Sequence, residues 1–270
     1  MSSNSLSKVK ALFLDMDGVL WTDKEEIGNL HEVFESIREA GLTVLFGTNN
    51  ATRTPEEYCE KLAYFGVSAR PEQFFTSGIA TVYQLKKDFP QGPRVYVIGS
   101  PSLKSLLRSG GIEVVEENAD VVLTSLDREI SYEKIARAMI EIREHGAKFY
   151  ATNTDSTLVT EKGWRPGGGV SAACVETCTG VKPFVIGKPN TVMIEMACRA
   201  NNLAPDEIMA VGDRYETDME GGLKYGARTG LVLTGYETPE TVKTLNPLPD
   251  LICDDLAALI KTLRDIKSQS

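Results

Sequence analysis

An apolar segment that ends in two acidic residues and a glycine is the feature that most constrains the fold of this chain. Residues 10–20 read Lys-Ala-Leu-Phe-Leu-Asp-Met-Asp-Gly-Val-Leu, with carboxylates at Asp15 and Asp17. A continuous apolar run is typical of a buried strand in a parallel sheet, and ligands bind just beyond the carboxyl ends of such strands. If the strand continues to Asp17, both carboxylates point the same way and call for a cation, a shared proton or a phosphate. The alternative is an ordinary Asp-rich turn.

Two further apolar runs end in residues suited to an anion. Residues 44–46 lead into Gly-Thr-Asn-Asn, where the Thr48 hydroxyl and backbone N–H groups could bind an anion. The alternative there is a plain strand-to-helix turn, because Thr and Asn start helices well. Residues 184–186 read as a buried strand of the same sheet, followed closely by Lys188. An ammonium at that place could neutralise a carboxylate or bind a phosphate as a point charge.

A fourth apolar run, residues 208–211, precedes two late acids. Asp213 follows the run directly and Asp218 comes five residues later. Mg²⁺ takes oxygen ligands, commonly one or two carboxylates together with water and phosphate oxygens, and these two acids fit that requirement. For Asp218 alone, an acid in the first turn of a helix is an equally good explanation.

Taken in order, the four strand ends resemble the signature motifs of the haloacid dehalogenase-like hydrolase superfamily. These motifs are an Asp-x-Asp, a Thr or Ser, a Lys and a late acidic pair. The matching residues are Asp15 and Asp17, Thr48, Lys188, and Asp213 with Asp218. The segments Thr-Asn-Asn at 48–50, Ala-Thr-Asn-Thr-Asp at 151–155 and Arg-Pro-Gly-Gly-Gly at 165–169 resemble the branch of p-nitrophenyl and phosphoglycolate phosphatases, which carries a large α/β cap.

The resemblance implies a mechanism and a set of roles. Asp15 is expected to be the nucleophile that forms an aspartyl-phosphate, and Asp17 the general acid and base. Phosphate oxygens are expected to be bound by Thr48, Asn49, Gly18 and Lys188. The cofactor implied is Mg²⁺, held by Asp15, the backbone carbonyl of Asp17, and Asp213, with Asp218 binding it directly or through water. Candidate substrate contacts in the cap are Asn153, Asp155, Trp164 and Arg165, with packing as the alternative role for Trp164.

The order of elements predicts two domains. Strands alternating with helices predict an α/β fold with parallel sheets. A second alternation has candidate strands at 95–98, 113–115, 121–124 and 148–151, and the four signature motifs lie outside it. We therefore expect a Rossmann-like doubly wound parallel-sheet core, residues 1–78 and 182–270, interrupted by an inserted smaller α/β cap domain over residues 79–181.

Charge and cysteine usage bear on partners and compartment. The net charge of −9 argues against nucleic acid and anionic membranes as partners. The N-terminal residues are polar, without the apolar region of a secretory signal. Five cysteines without a Cys-x-x-Cys pair, and with two histidines in the whole chain, favour reduced thiols in a cytoplasmic protein over a zinc site.

The sequence leaves several functions open within this frame. The main expectation is Mg²⁺-dependent hydrolysis of small phosphorylated metabolites. A phosphotransferase or phosphomutase of the same fold would use the same aspartyl-phosphate with another acceptor. A non-catalytic metabolite-binding protein would have lost a signature residue, and a dehalogenase has little need for Mg²⁺ or Asp17. The resemblance suggests a homodimer, and the physiological substrate is not specified.

Overall fold

The computed structural model describes residues 5–22, 24–160 and 163–269 of the 270-residue chain. The strands in chain order are β1 (Ala11–Leu14), β2 (Trp21–Thr22), β3 (Glu25–Glu26), β4 (Thr43–Thr48), β5 (Phe74–Thr76), β6 (Arg94–Ile98), β7 (Glu113–Val115), β8 (Val121–Thr124), β9 (Lys148–Ala151), β10 (Thr157–Thr160), β11 (Gly163–Pro166), β12 (Phe184–Val185), β13 (Ile208–Gly212), β14 (Arg228–Val232) and β15 (Leu251–Cys253). The α-helices are α1 (Leu30–Glu39), α2 (Pro55–Tyr64), α3 (Ser77–Asp88), α4 (Pro101–Ser109), α5 (Tyr132–Arg143), α6 (Gly168–Thr179), α7 (Val192–Asn201), α8 (Glu220–Tyr225), α9 (Pro239–Val242) and α10 (Leu256–Ser268).

The described residues divide into two compact units, and the chain passes between them more than once. The first unit contains the residues up to Thr48, the segment Pro55–Phe75 and the residues from Lys188 onward. The second contains Asn49–Thr54 and Thr76–Gly187. An α/β fold is therefore confirmed, with one parallel sheet in each unit and two further two-stranded sheets, β2-β3 and β10-β11.

The first unit is built on a six-stranded sheet in the order β15-β14-β13-β1-β4-β5. The pairings of β1 with β4 and β13, and of β14 with β13 and β15, are all parallel. Strand β1 is buried on both faces because its side chains alternate between two apolar layers. Leu12 and Leu14 join a core cluster with residues of α1 and α10. The expectation of a Rossmann-like parallel-sheet core is confirmed.

The second unit has a smaller parallel sheet in the order β12-β9-β8-β6-β7. Its strands β6 to β9 occupy the positions that the second alternation predicts. Its core contains Ile98, Val122 and Phe149 from the sheet, packed with Ala138 and Val175 from α5 and α6. An antiparallel hairpin, β10–β11, adds two strands to this unit.

The sheet predicted for residues 184–186 is wrong. Residues 184–186 read as a buried core strand, but β12 ends at Val185 and pairs with β9 at the edge of the second unit's sheet. Phe184 is 42% exposed and its ring lies 5.4 Å from that of Tyr150. An apolar run does not specify which of two sheets it joins, which is the reason for the error.

Among the described residues, no helix is both long enough and apolar enough to cross a membrane.

Candidate active site

Three carboxylates lie together at the carboxyl end of the first unit's central strands. Asp15 directly follows β1, and Asp213 directly follows β13, the parallel neighbour of β1. Asp218 lies on a π-helical turn, Tyr215–Met219. Each residue offers a carboxylate oxygen, and these oxygens lie within 4.8 Å of one another. The structure therefore brings three of the predicted site residues into one carboxylate cluster.

The side chain of Lys188 is bound to this carboxylate cluster. Its Nζ donates hydrogen bonds to Asp15 Oδ1 at 2.7 Å and to Asp218 Oδ1 at 2.6 Å. It also donates to the carbonyl of Gly47 at 3.0 Å, one residue before the buried Thr48 at the end of β4. An ammonium group has three donors, so these contacts fix the lysine between the ends of β1 and β4 and the Asp218 turn.

Burial and mutual charge set the ionisation of these groups. Burial, opposed by the Lys188 ammonium, raises the pKa of Asp15 well above 3.8. Burial and the neighbouring Asp218 carboxylate raise the pKa of Asp213 to about 6. Burial would lower the pKa of Lys188, but the carboxylates of Asp15 and Asp218 outweigh it, and that pKa is raised above 10.5. The lysine therefore stays charged at neutral pH, while Asp15 and Asp213 ionise less readily than exposed carboxyl groups.

Asp17 has a different environment from Asp15. Strand β1 ends at Leu14, so the alternation that would have aligned the two carboxylates does not extend that far. The Asp17 side chain accepts a hydrogen bond from Trp21 Nε1 at 2.8 Å. Asp17 is exposed, whereas Trp21 is buried. Trp21 thus orients an otherwise solvent-accessible carboxyl group, a contact that the sequence analysis missed.

Gly18 allows the Asp-x-Asp loop to approach Asp213 closely. Its φ of +81° lies in the left-handed region, which favours glycine. A Cβ atom at this position would overlap the carboxylate of Asp213. Glycine is required here both for backbone conformation and for the close packing of two acidic segments.

Asn49, Asn153 and Asp155 form a polar network in the second unit. Asn153 Nδ2 donates to the Asn49 carbonyl at 2.8 Å, and Asn49 Nδ2 donates to Asp155 Oδ1 at 3.2 Å. The Asp155 N–H donates to Asn153 Oδ1 at 3.1 Å. Ser77 Oγ also donates to the Asn49 carbonyl, at 2.6 Å. The two side chains predicted to contact substrate therefore hold Asn49, the residue that follows Thr48.

Trp164 and Arg165 lie on β11 of the antiparallel hairpin. Trp164 is 65% exposed, so its side chain lies outside the core of the second unit, and its role toward a substrate stays a prediction. Arg165 is also exposed, and its Nη1 donates to the Trp164 carbonyl at 3.3 Å. Both side chains are accessible to a ligand on the second unit.

A turn after β14 contacts the acidic segments and was missed by the sequence analysis. Thr234 Oγ1 donates to the Gly18 carbonyl at 2.5 Å, and the Tyr236 N–H donates to Asp213 Oδ2 at 2.7 Å. A signal for it exists: residues 231–233, at the end of β14 and just after it, are another apolar run, and Thr234 and Gly235 follow that run. The rule applied to the other strand ends would have selected it.

The carboxylate cluster suits a hard divalent cation. Asp15, Asp213 and Asp218 offer only oxygen donors, and their oxygens are close enough to share one ion. Carboxylates with water and phosphate oxygens are the usual ligands of Mg²⁺. The residues present therefore fit Mg²⁺, the cofactor that the sequence predicts.

Family models match both ends of the chain. A model described as haloacid dehalogenase-like hydrolase matches residues 12–113. A second model of HAD-hydrolase-like proteins matches residues 185–259. The matched segments contain most of β1 and all of β4 and β13, whose carboxyl ends lead into the site.

Curated relatives and a solved structure match nearly the full length. The chain is 38% identical to the 5'-nucleotidase YutF of Bacillus subtilis, over 86% of this chain and 90% of that protein. It is 34% identical to an acid sugar phosphatase of Staphylococcus aureus, over 96% and 99% of the two chains. The crystal structure of a 4-nitrophenylphosphatase from Thermotoga maritima superposes with a TM-score of 0.89 at 31% identity, covering 96% of this chain and 99% of that one.

Proposed function

The chain belongs to the haloacid dehalogenase-like hydrolases, and we propose that it hydrolyses small phosphomonoesters through an aspartyl-phosphate formed on Asp15. The observation that carries the proposal is the ion-pair arrangement in which Lys188 Nζ bonds to both Asp15 and Asp218. Asp213 completes the carboxylate cluster. A nucleophilic carboxylate, a fixed cation and a set of metal-binding oxygens are what phosphoryl transfer to an aspartate requires.

In the first step the Asp15 carboxylate attacks phosphorus. A bond forms between an Asp15 oxygen and phosphorus, and the bond from phosphorus to the leaving oxygen breaks. Asp17 gives its proton to that oxygen, so an alcohol leaves rather than an alkoxide. Lys188 and the Thr48 hydroxyl, with the N–H groups of Asn49 and Gly18, bind the non-bridging oxygens in this proposal.

In the second step water cleaves the aspartyl-phosphate. Asp17, now ionised, takes a proton from the water as its oxygen attacks phosphorus. The bond between phosphorus and Asp15 breaks, and the carboxylate and free phosphate result. The indole of Trp21, bonded to Asp17 Oδ1, keeps the carboxyl group in one orientation while its proton leaves and returns.

The proposal includes Mg²⁺ as cofactor. Asp15, Asp213 and the backbone carbonyl of Asp17 would hold it. When bound, the ion supplies positive charge that offsets the repulsion between an anionic nucleophile and an anionic ester. Both carboxylate oxygens of Asp218 accept hydrogen bonds, Oδ1 from Lys188 at 2.6 Å and Oδ2 from the Arg214 N–H at 3.3 Å. We therefore assign Asp218 to orienting Lys188 and the shell around the ion.

The substrate class is a small phosphorylated metabolite. The relatives named above act, by their names, on nucleotides, sugar phosphates and 4-nitrophenyl phosphate, which supports the ester class rather than one compound. We assign the second unit the role of the cap that selects the substrate, with Trp164 and Arg165 as its accessible contacts. The assembly we expect is a cytoplasmic homodimer, and light scattering at micromolar protein tests the dimer.

The test is phosphate release from 4-nitrophenyl phosphate, with Mg²⁺ and with chelator. Asp15→Asn should abolish turnover, because an amide cannot act as the nucleophile, while circular dichroism shows an unchanged fold. Asp206→Asn is the matched control, since Asp206 is bound to Lys8 at the surface and precedes β13, whereas the site lies at the opposite, carboxyl end of that strand. Turnover by Asp15→Asn at the rate of the wild type would exclude the covalent mechanism.

Product analysis separates hydrolysis from the alternative functions. Free phosphate released without an added acceptor supports a phosphatase. Turnover that appears only when an alcohol or sugar acceptor is added would indicate a phosphotransferase. A protein that binds phosphorylated metabolites without turning any of them over would be a metabolite-binding protein.

A further inference from the structure

A single turn after β14 contacts both acidic segments of the first unit. Thr234 Oγ1 donates to the carbonyl of Gly18 at 2.5 Å, across 216 positions of sequence. Two residues later, the Tyr236 N–H donates to Asp213 Oδ2 at 2.7 Å. The Glu237 N–H donates to the Asp213 carbonyl at 3.0 Å. Successive groups of the turn thus hold the Asp-x-Asp loop and the β13 acid together.

The side chain of Asp213 is also closely packed by the two loops around it. A Cβ atom on Gly18 or on Gly235 would overlap the Asp213 carboxylate. The Asp213 carboxylate therefore lies between Gly18 and Gly235. The hydrogen bond from Thr234 Oγ1 to the Gly18 carbonyl joins the two backbone segments that carry these glycines. A shift of the turn would move Asp213 relative to Gly18.

The turn is itself anchored by a buried acid. Glu237 is 6% exposed, and its Oε1 accepts from the Tyr215 N–H at 3.2 Å. Its Oε2 accepts from the Thr241 hydroxyl at 2.5 Å. Tyr215 begins the π-helical turn that carries Asp218. The turn after β14 therefore also contacts, through Glu237, the π-helical turn that carries Asp218.

We propose that Thr234 is a positioning residue, whose hydrogen bond to the Gly18 carbonyl fixes the spacing between the Asp17–Gly18 backbone and Asp213 and thereby sets the affinity for the divalent cation. The proposal rests on the proposed function for the identity of the cation. Groups that orient metal ligands commonly change metal affinity by about 10–100-fold when they are removed. Thr234 does not touch the reacting atoms and acts only through the groups it holds.

The first test compares Mg²⁺ binding, by isothermal titration calorimetry, for Thr234→Val and Thr234→Ser. Valine has the shape of threonine without its hydroxyl, whereas serine keeps the donor. We expect the Kd for Mg²⁺ to be about 10-fold higher or more in Thr234→Val than in the wild type. In Thr234→Ser, which keeps the donor, the Kd should be close to the wild-type value. Thr262→Val is the matched control, since it removes a similar hydroxyl-to-carbonyl bond, to Ala258 at 2.9 Å in α10.

A second variant tests the same spacing without touching the hydroxyl. Gly235→Ala places a methyl group against the Asp213 carboxylate and should also weaken Mg²⁺ binding. Gly221→Ala in α8 is its control, because the nearest atom to an added Cβ there lies at 3.5 Å, an ordinary contact. If Thr234→Val does not fold, Gly235→Ala decides the question.

Activity and binding together separate this proposal from the proposed function. With 4-nitrophenyl phosphate at saturating Mg²⁺, Thr234→Val should recover much of its kcat while KM changes little. Wild-type Mg²⁺ affinity in a folded Thr234→Val would overturn the positioning role. Where that variant does not fold, wild-type affinity in Gly235→Ala would overturn it. A wild-type protein that binds Mg²⁺ but releases no phosphate would overturn the proposed function and leave the binding test valid.

Discussion

Asp213→Asn should make the chelator-treated protein more stable at neutral pH while removing its catalytic function. Asp213 is buried between Gly18 and Gly235, and its pKa is raised to about 6 by burial and by the Asp218 carboxylate. Ionising it within the fold is therefore unfavourable. An asparagine of nearly the same shape can still accept the hydrogen bond that the Tyr236 N–H donates, without carrying the charge.

The size and sign of this effect follow from linkage. A rise from 3.8 to about 6 is roughly two pH units, which corresponds to about 3 kcal/mol. Because the folded state binds the proton more tightly than the unfolded state, the free energy of unfolding decreases as pH rises from about 4 through 6. Above pH 6 the penalty is complete, and Asp213→Asn should be more stable than the wild type by up to about 3 kcal/mol.

The assay is urea denaturation in EDTA between pH 4 and 8, repeated with Mg²⁺. The advantage of Asp213→Asn should shrink as pH falls toward 4, where wild-type Asp213 is protonated in both states. Mg²⁺ at about 100 times its Kd should stabilise the wild type by about 3 kcal/mol, with little effect on the variant. Asp206→Asn is a control of opposite sign, because the Lys8 side chain lowers the pKa of Asp206. Equal stability of wild type and Asp213→Asn at pH 7.5 in EDTA would refute this reasoning.

Three other outcomes can be measured with the same methods. Lys188→Met should lower kcat for 4-nitrophenyl phosphate by about 10²–10³-fold, because a preorganised charge on the transferring group is lost. Asn153→Ala removes the bond to the Asn49 carbonyl, and urea denaturation should show a loss of about 1 kcal/mol. Burial would raise the pKa of Glu141, but hydrogen bonds from His145 and the backbone N–H of Ala119 lower it. Its stabilising effect is present above pH 4.5 and lost as pH falls below it, so Glu141→Gln should flatten the acid limb of a thermal-unfolding pH profile.

The parallel sheets could be predicted because buried strands appear in the sequence as continuous apolar runs. Strands β1, β4 and β13 are continuous apolar runs that end in Asp, Thr and Asp, and their parallel pairing places those ends at one edge of the first sheet. Two successive alternations of strand and helix similarly predicted two separate sheets. Motif order then identified the family before any contact between the residues was known.

Contacts that depend on the path of the chain could not be predicted in the same way. The assignment of β12 to the second sheet depends on its pairing with β9, in which Phe184 lies opposite Tyr150, 34 residues earlier. No local pattern encodes that choice. The hydrogen bond of Trp21 to Asp17 depends on how the chain turns after β1. Thr234 was detectable as a strand-end residue, but its partner, Gly18, lies 216 positions away.

The charge of the carboxylate cluster argues for a divalent ion on physical grounds independent of family. Asp15, Asp213 and Asp218 contribute three negative charges when ionised, and Lys188 contributes one positive charge. The cluster then has a net charge of −2, and its carboxylate oxygens lie within 4.8 Å of one another. Burying an unbalanced charge is costly, and a protein reduces that cost by protonation or by binding a cation. The pKa values of Asp15 and Asp213 are raised, so these carboxyl groups are protonated more readily, which is the first of these two ways. A single Mg²⁺ would provide the second, because its two charges equal the imbalance and its preferred ligands are carboxylate oxygens such as those of Asp15 and Asp213.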